Sequence, residues 1–160
     1  MSMASRTNSG TPASNDRLWD SVVGNDLSFR LARANALSLA GVHAALAEYD
    51  LRVRSYSVLA IAAEGSRPSQ RELSEFLRLD PSQIVALVDD LESRGLVRRE
   101  PDPQDRRANV LVATDGGREL FRAARAASRR AEQEFLAPLG ALGAPLDAAL
   151  RMLAGAPDAD

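Results

Sequence analysis

Residues 69–113 read SQRELSEFLRLDPSQIVALVDDLESRGLVRREPDPQDRRANVLVA, and the period of the apolar positions changes midway through them. Ser69-Gln70-Arg71-Glu72 is a capping box, in which the serine side chain caps a helix and the glutamate three residues on reaches back. It opens a helix over residues 70–77 with Leu73, Phe76 and Leu77 as its expected buried set. Asp80-Pro81 then supplies an N-cap followed by proline at the first helical position, where the missing N–H costs nothing. A second helix, residues 81–94, repeats Ile84, Leu87, Val88 and Leu91 at helical spacing and stops at Gly95. Beyond Gly95 the residues 96–100 and 108–113 are short runs rich in β-branched side chains. They flank the connector PDPQDRR, so they read as a β-hairpin.

Outward from this stretch the chain reads as helix. Upstream, residues 54–64 carry Tyr56, Val58, Leu59 and Ile61 as an apolar set. Before them a long helical segment is expected over residues 16–49, with Gly24 and Gly41 as places for a bend or a break. Downstream, Thr114-Asp115 caps a helix to about residue 136, Pro138 to Pro145 interrupts it, and a last helix covers residues 146–153. Residues 1–15 are small and polar without apolar periodicity and read as a disordered tail, as do 156–160. The expected fold class is mainly α with a small β-hairpin wing, a winged helix-turn-helix. The expected division is an N-terminal helical region at 16–50, a DNA-binding lobe at 51–113 and C-terminal helices at 114–155.

Composition narrows the function. The chain has 160 residues and no cysteine, which excludes disulfides and thiolate metal sites. Its single histidine, His43, argues against a histidine-based metal centre, and no cofactor is expected. With no Gly-rich phosphate loop and no nucleophile–base–oxyanion set, an enzyme is not expected. All 20 basic residues are arginine, each able to form a planar, forked contact with phosphate or carboxylate. The net charge is −2, and residues 67–107 hold 8 arginines against 9 acids. Any DNA contact therefore has to come from a few placed cations. No apolar run of membrane-spanning length and no export signal is seen, so the expectation is a cytoplasmic protein without membrane contact.

The segments SVLAIAAEG, QRELSEFLRLDPSQIVALVDDLESRGLVRRE, PDPQDRRANVLVATDGGREL and APLGAL together resemble the multiple antibiotic resistance regulator (MarR) family of bacterial transcription factors. The likeness covers residues 27–155, and its most specific part is the run from Leu87 to Arg107. The resemblance implies a homodimer built from the first helix and the last two, binding a pseudo-palindromic operator in double-stranded DNA through two recognition helices and two wings. It further implies a repressor released by a small aromatic, phenolic or anionic effector. Carried over by position, Ser82, Gln83 and Val85 lie on the recognition helix, where side chains meet base edges. Arg106 or Arg107 is the minor-groove residue, and Asp105 orients it. Arg54 and Arg118 complete the DNA-facing set, while Trp19, His43 and Tyr56 are the candidates to line an effector pocket. A urate-responsive branch carries an N-terminal-helix tryptophan like Trp19, but the aspartate it uses after the second-helix aromatic is here Ser57, so urate is not expected.

Each assignment has a plainer competitor. As an isolated loop, Arg106 and Arg107 would be solvated and paired with Asp105 or Asp102; the preceding helix pair is what turns the loop into a wing. Arg122, Arg125 and Arg129 read as a solvated helix face. Trp19 and His43 read as packing residues by default, and Asp89 and Glu92 as surface charges. The rival function is a winged-helix module that has lost DNA binding and acts through protein contacts; a small-molecule-binding protein is the other alternative.

Overall fold

The computed structural model describes residues 16–103, 105 and 108–157. It falls into two units, Met1–Leu37 and Ser38–Asp160. The wing residues Arg106 and Arg107 and the two terminal tails to residue 15 and from 158 lie outside the described residues.

In the first unit the expected long helical segment is broken on both sides of Gly24, one of the two places where a bend or break is expected. A 3-10 turn at Asp16–Asp20 leads to the short helix α1, Val22–Asn25, and then to α2, Leu27–Ala47, which continues into the second unit. Ser21 makes the first break: it is extended and its hydroxyl accepts from Gly24 N. Asp26 makes the second, with ψ 127. Gly24 permits a close approach that no other residue would, because a Cβ there would lie 2.5 Å from the Trp19 carbonyl oxygen. Gly41, by contrast, sits mid-helix with the Ala131 Cβ 3.7 Å from where its own would be, and breaks nothing.

The second unit holds the core. Helix α3 is Val53–Ala63, α4 is Gln70–Leu77, α5 is Pro81–Ser93, and α6 is Asp115–Leu136. Strands β1, Val97–Pro101, and β2, Asn109–Ala113, pair antiparallel with Arg99 opposite Leu111. Leu46, Val58, Leu59, Leu73, Ile84, Val88, Leu91, Val97 and Leu111 are the largest fully buried side chains. They come from every element between α2 and β2, so the helix pair and the hairpin share one apolar core. The hairpin is also tied to the start of α4: Leu111 N donates to Pro68 O at 2.8 Å, and Ser69 bridges to Val110. One expected core residue is corrected, since Phe76 is 77% exposed while Leu73, one turn earlier, is buried. In this short helix only one narrow stripe faces α5, and Phe76 falls outside it.

After α6 a 3-10 segment, Ala137–Leu142, contains the kink at Gly140, and α7, Gly143–Leu153, begins three residues earlier than Pro145 suggested. Pro145 fits there because the first turn of a helix does not use its N–H. An apolar window within residues 115–153 reaches a mean hydropathy of 1.2, and none of it is buried within the chain. The non-helical backbone at Gly140 interrupts that run.

Candidate nucleic-acid interface

Helices α4 and α5 are joined by a tight turn. Arg78 ends α4 in the left-handed region at φ 53, and Ser74 Oγ donates to Leu79 O at 2.6 Å. At the start of α4 the capping box is complete: Ser69 Oγ accepts from Glu72 N at 3.2 Å, and the Glu72 carboxylate accepts from Ser69 N at 2.7 Å. The Ser69 N–H, and after it the Ser69 hydroxyl donating to Glu72 Oε2 at 2.7 Å, hold the Glu72 carboxyl below the usual carboxylate range. Asp80 and Pro81 then start α5.

Burying Ile84, Val88 and Leu91 turns the opposite face of α5 outward. Ser82, Gln83 and Val85 are all exposed on its first turn and a half. Gln83 is partly engaged, its Oε1 accepting from Asp80 N at 3.3 Å, which leaves the amide NH2 outward-directed chemistry to offer. The N-terminus of a helix also carries a partial positive charge that favours phosphate.

The cations divide into paired and unpaired. In the lobe, Arg67 and Arg98 share Glu100, Arg71 holds Glu75, Arg94 contacts Asp50 and Asp90, and Arg99 is bound by Asp89 and Glu92. Glu100 is consequently held below the usual carboxylate range, mainly by Arg98 and then Arg67. Among the described residues, Arg52, Arg54 and Arg78 have no ion-pair partner. Arg54 and Arg78 line one groove with Gln83, and Arg52 and Arg54 line another cavity with Gln83. The unpaired arginines of the lobe therefore border the N-terminus of α5, where sequence reasoning had named only Arg54. Arg78 was detectable in principle: Arg71 has Glu75 at i+4 on the same helix, whereas Arg78 follows the helix end and has no such neighbour.

Arg118 stands where β2 meets α6. Its Nη1 donates to Ala113 O at 2.5 Å and its Nη2 to Asp115 Oδ1 at 2.6 Å, bracing the end of β2 against α6. At the wing turn, Ala108 N donates to Asp105 O and Asp102 N to Ala108 O, both at 2.9 Å. Arg106 and Arg107 belong to this turn in sequence but lie outside the described residues. Asp89 and Glu92, expected as surface charges, are solvent-accessible and both pair with Arg99.

Trp19 lines a cavity of about 320 Å³ within the first unit, with Leu18, Phe29 and Arg33; its ring is edge-on to Phe29, and the Arg33 guanidinium lies 5.3 Å from its centroid. His43 lines the cavity of about 570 Å³ in the second unit, together with Leu39, Val53 and Leu87 and the arginines 52 and 54. Tyr56 packs on Phe121, ring centroids 6.0 Å apart, and burial pushes its hydroxyl above the ordinary phenol range, with Glu132 adding to the shift.

A model of the MarR family matches residues 49–108. A MarR-family transcriptional regulator from Rhodococcus sp. RHA1 is 39% identical, covers 82% of this chain and 94% of its own, and superposes with a TM-score of 0.76. CouR from Rhodococcus jostii RHA1, solved with p-coumaroyl-CoA, is 38% identical over 86% of this chain and 98% of its own, TM-score 0.76. The Mycobacterium tuberculosis MarR-family protein Rv2887, solved with DNA, is 25% identical over 80% and 97%, TM-score 0.67. Against a curated regulator of an operon in Thauera aromatica the chain spans about half of the relative's length, 51%, at 34% identity. Similarity of this extent to regulators rather than enzymes, on a capped helix pair followed by a hairpin, shows that the chain belongs to the MarR family of winged-helix transcriptional regulators.

Proposed function

We propose that the protein is a homodimeric repressor that binds a pseudo-palindromic operator and releases it when a small aromatic anion binds. The observation that carries the DNA part is the exposed start of α5, Ser82, Gln83 and Val85, flanked by the unpaired Arg52, Arg54 and Arg78. Phosphate contacts from these arginines set the register, and Gln83 reads a base edge from the major groove. Arg106 or Arg107, steadied by Asp105, enters the adjacent minor groove, whose narrow form focuses negative potential. Arg118 contributes by bracing the wing base.

The helices outside the lobe support the dimer. Val22, Leu27 and Leu31 in the first unit, and Leu150, Met152 and Leu153 in the second, are exposed apolar side chains that water disfavours. Dimerisation places two α5 helices about one helical turn of DNA apart.

The cavity beside His43 supports the effector part. Leu39, Val53 and Leu87 offer an apolar lining, and Arg52 and Arg54 offer charge for a carboxylate or phosphate. The relative solved with p-coumaroyl-CoA directs the choice of ligand to aryl carboxylates and their CoA thioesters. Arg54 and Gln83 belong both to this cavity and to the α5 surface, so ligand and DNA compete for the same groups. A ligand preferring the DNA-free arrangement lowers operator affinity by population shift.

A mobility-shift titration with the DNA upstream of its own and neighbouring genes tests the reading in the cytoplasmic salt range. Specific binding with a dissociation constant of about 10⁻⁸ M or tighter is expected, weakened by p-coumaroyl-CoA or an aryl carboxylate. Absence of specific binding at low salt, with the dimer intact, would instead support a protein-interaction module.

A further inference from the structure

The solvent face of α5 carries acids where a DNA-binding helix gains most from neutrality or positive charge: Asp89, Asp90 and Glu92. Arg99 of β1 meets two of them. Its Nη2 lies 2.5 Å from Asp89 Oδ1, its Nη1 is bound to Glu92 Oε2, and its backbone N–H donates to Glu92 Oε1 at 3.1 Å. With its amide oxygen turned toward the guanidinium, Gln70 at the start of α4 accepts from Arg99 Nε at 2.9 Å. One side chain, only 25% exposed, thus joins the hairpin to both helices of the helix-turn-helix. The carboxylates hold its guanidinium above the ordinary range, Asp89 foremost.

We infer that Arg99 is a positioning residue for DNA recognition: by clamping Asp89 and Glu92 it fixes the spacing between the recognition helix and the wing, so that major-groove and minor-groove contacts form together. This rests on the DNA-binding reading above. A planar fork gripping two carboxylates one helical turn apart on α5 resists both sliding and rotation of β1, which a single point charge does not. The core side chains Val97 and Leu111 hold the hairpin down, but apolar contact is non-directional and leaves its register along α5 to polar bonds.

Electrostatics alone and positioning predict opposite signs for one variant. Arg99→Met with Asp89→Asn and Glu92→Gln removes one positive and two negative charges. On charge alone the variant binds DNA as well as or better than the wild type. As a positioning residue, its loss weakens operator binding about 10- to 100-fold, the share of a well-placed arginine contact. Protection of minor-groove sugars from hydroxyl radicals at the wing position disappears, while protection of guanine N7 in the major groove persists at saturating protein.

The experiment footprints wild type, the triple variant and Arg99→Lys on an operator selected by the wild type from random DNA, with thermal melts alongside. Loss of wing protection in the triple variant and in Arg99→Lys, at an unchanged melting temperature, is the expected result. Retained wing protection with equal or tighter binding in the triple variant overturns the inference. Should the triple variant fail to fold, Arg99→Lys decides, since it keeps the charge and lacks the fork; wing protection like that of the wild type then overturns it. A wild-type protein that protects no DNA overturns the DNA-binding reading itself, a result visible before any variant is compared.

Discussion

At Gly117 the absence of a side chain is structural. A Cβ there would stand 1.9 Å from the Leu96 carbonyl oxygen, which also accepts from Thr114 N at 3.0 Å. The start of α6 is therefore pressed against the end of the turn between α5 and β1, and Gly117→Ala forces the two apart. Overpacking of this kind costs about 3 kcal/mol, read as a lower urea midpoint; an unchanged midpoint means the backbone relaxes freely. The residues proposed to face DNA separate by the contact each is proposed to make. Gln83→Ala relaxes base preference at one position per half-site, scored by selection from a randomised operator. Arg78→Ala weakens binding evenly across sequences and lowers the salt slope by about one. Reversal of that pattern would exchange the roles of the two residues.

The start of α4 carries a pH-dependent cap. Glu72 has its carboxyl lowered by the Ser69 N–H and hydroxyl, so its contribution is complete above the unfolded carboxylate range and fades as pH falls through the lower folded value. The thermal midpoint of the protein should hold near neutrality and drop in acid below the usual carboxylate range. Glu72→Gln should drop less steeply, and Ser69→Ala should cost about 1 kcal/mol at neutral pH. Parallel acid curves for wild type and Glu72→Gln would mean that other carboxylates govern the transition. For the wing, Arg106→Ala or Arg107→Ala should cost about 1–3 kcal/mol of operator affinity without loss of the dimer. Unchanged affinity in both would remove the wing tip from recognition.

For the whole molecule the exposed apolar positions of α2 and α7 are the decisive feature. Leu27 is 69% exposed and Leu153 74%, values expected of surfaces that another chain covers. Leu27→Glu together with Leu31→Glu should give a monomer in sedimentation equilibrium and abolish tight operator binding, since each half-site is then held by one lobe. A variant that remains dimeric would shift the interface to α7, where Leu150→Glu with Leu153→Glu is the matching test.

The sequence by itself determined the lobe: capping box, Asp-Pro start, helical apolar spacing and a Pro/Asp turn are local signals, and each names its own backbone geometry. Helices α4 and α5 and both strands accordingly lie within a residue of where those signals place them. The outward placement of Ser82, Gln83 and Val85 was legible too, because burying Ile84, Val88 and Leu91 leaves them nowhere else to point. What only the tertiary structure decided were relations between elements. Periodicity could not tell that Phe76 misses the narrow stripe facing α5, nor that Ser21 and Asp26 break the first helix. Nor could spacing show that Arg52, Arg54 and Arg78 lack partners while Arg99 has two, since those acids lie 7 and 10 residues away in the chain. A charge is free or spent according to what the fold sets within a few ångströms of it, and that distance is fixed only when strand and helix pack.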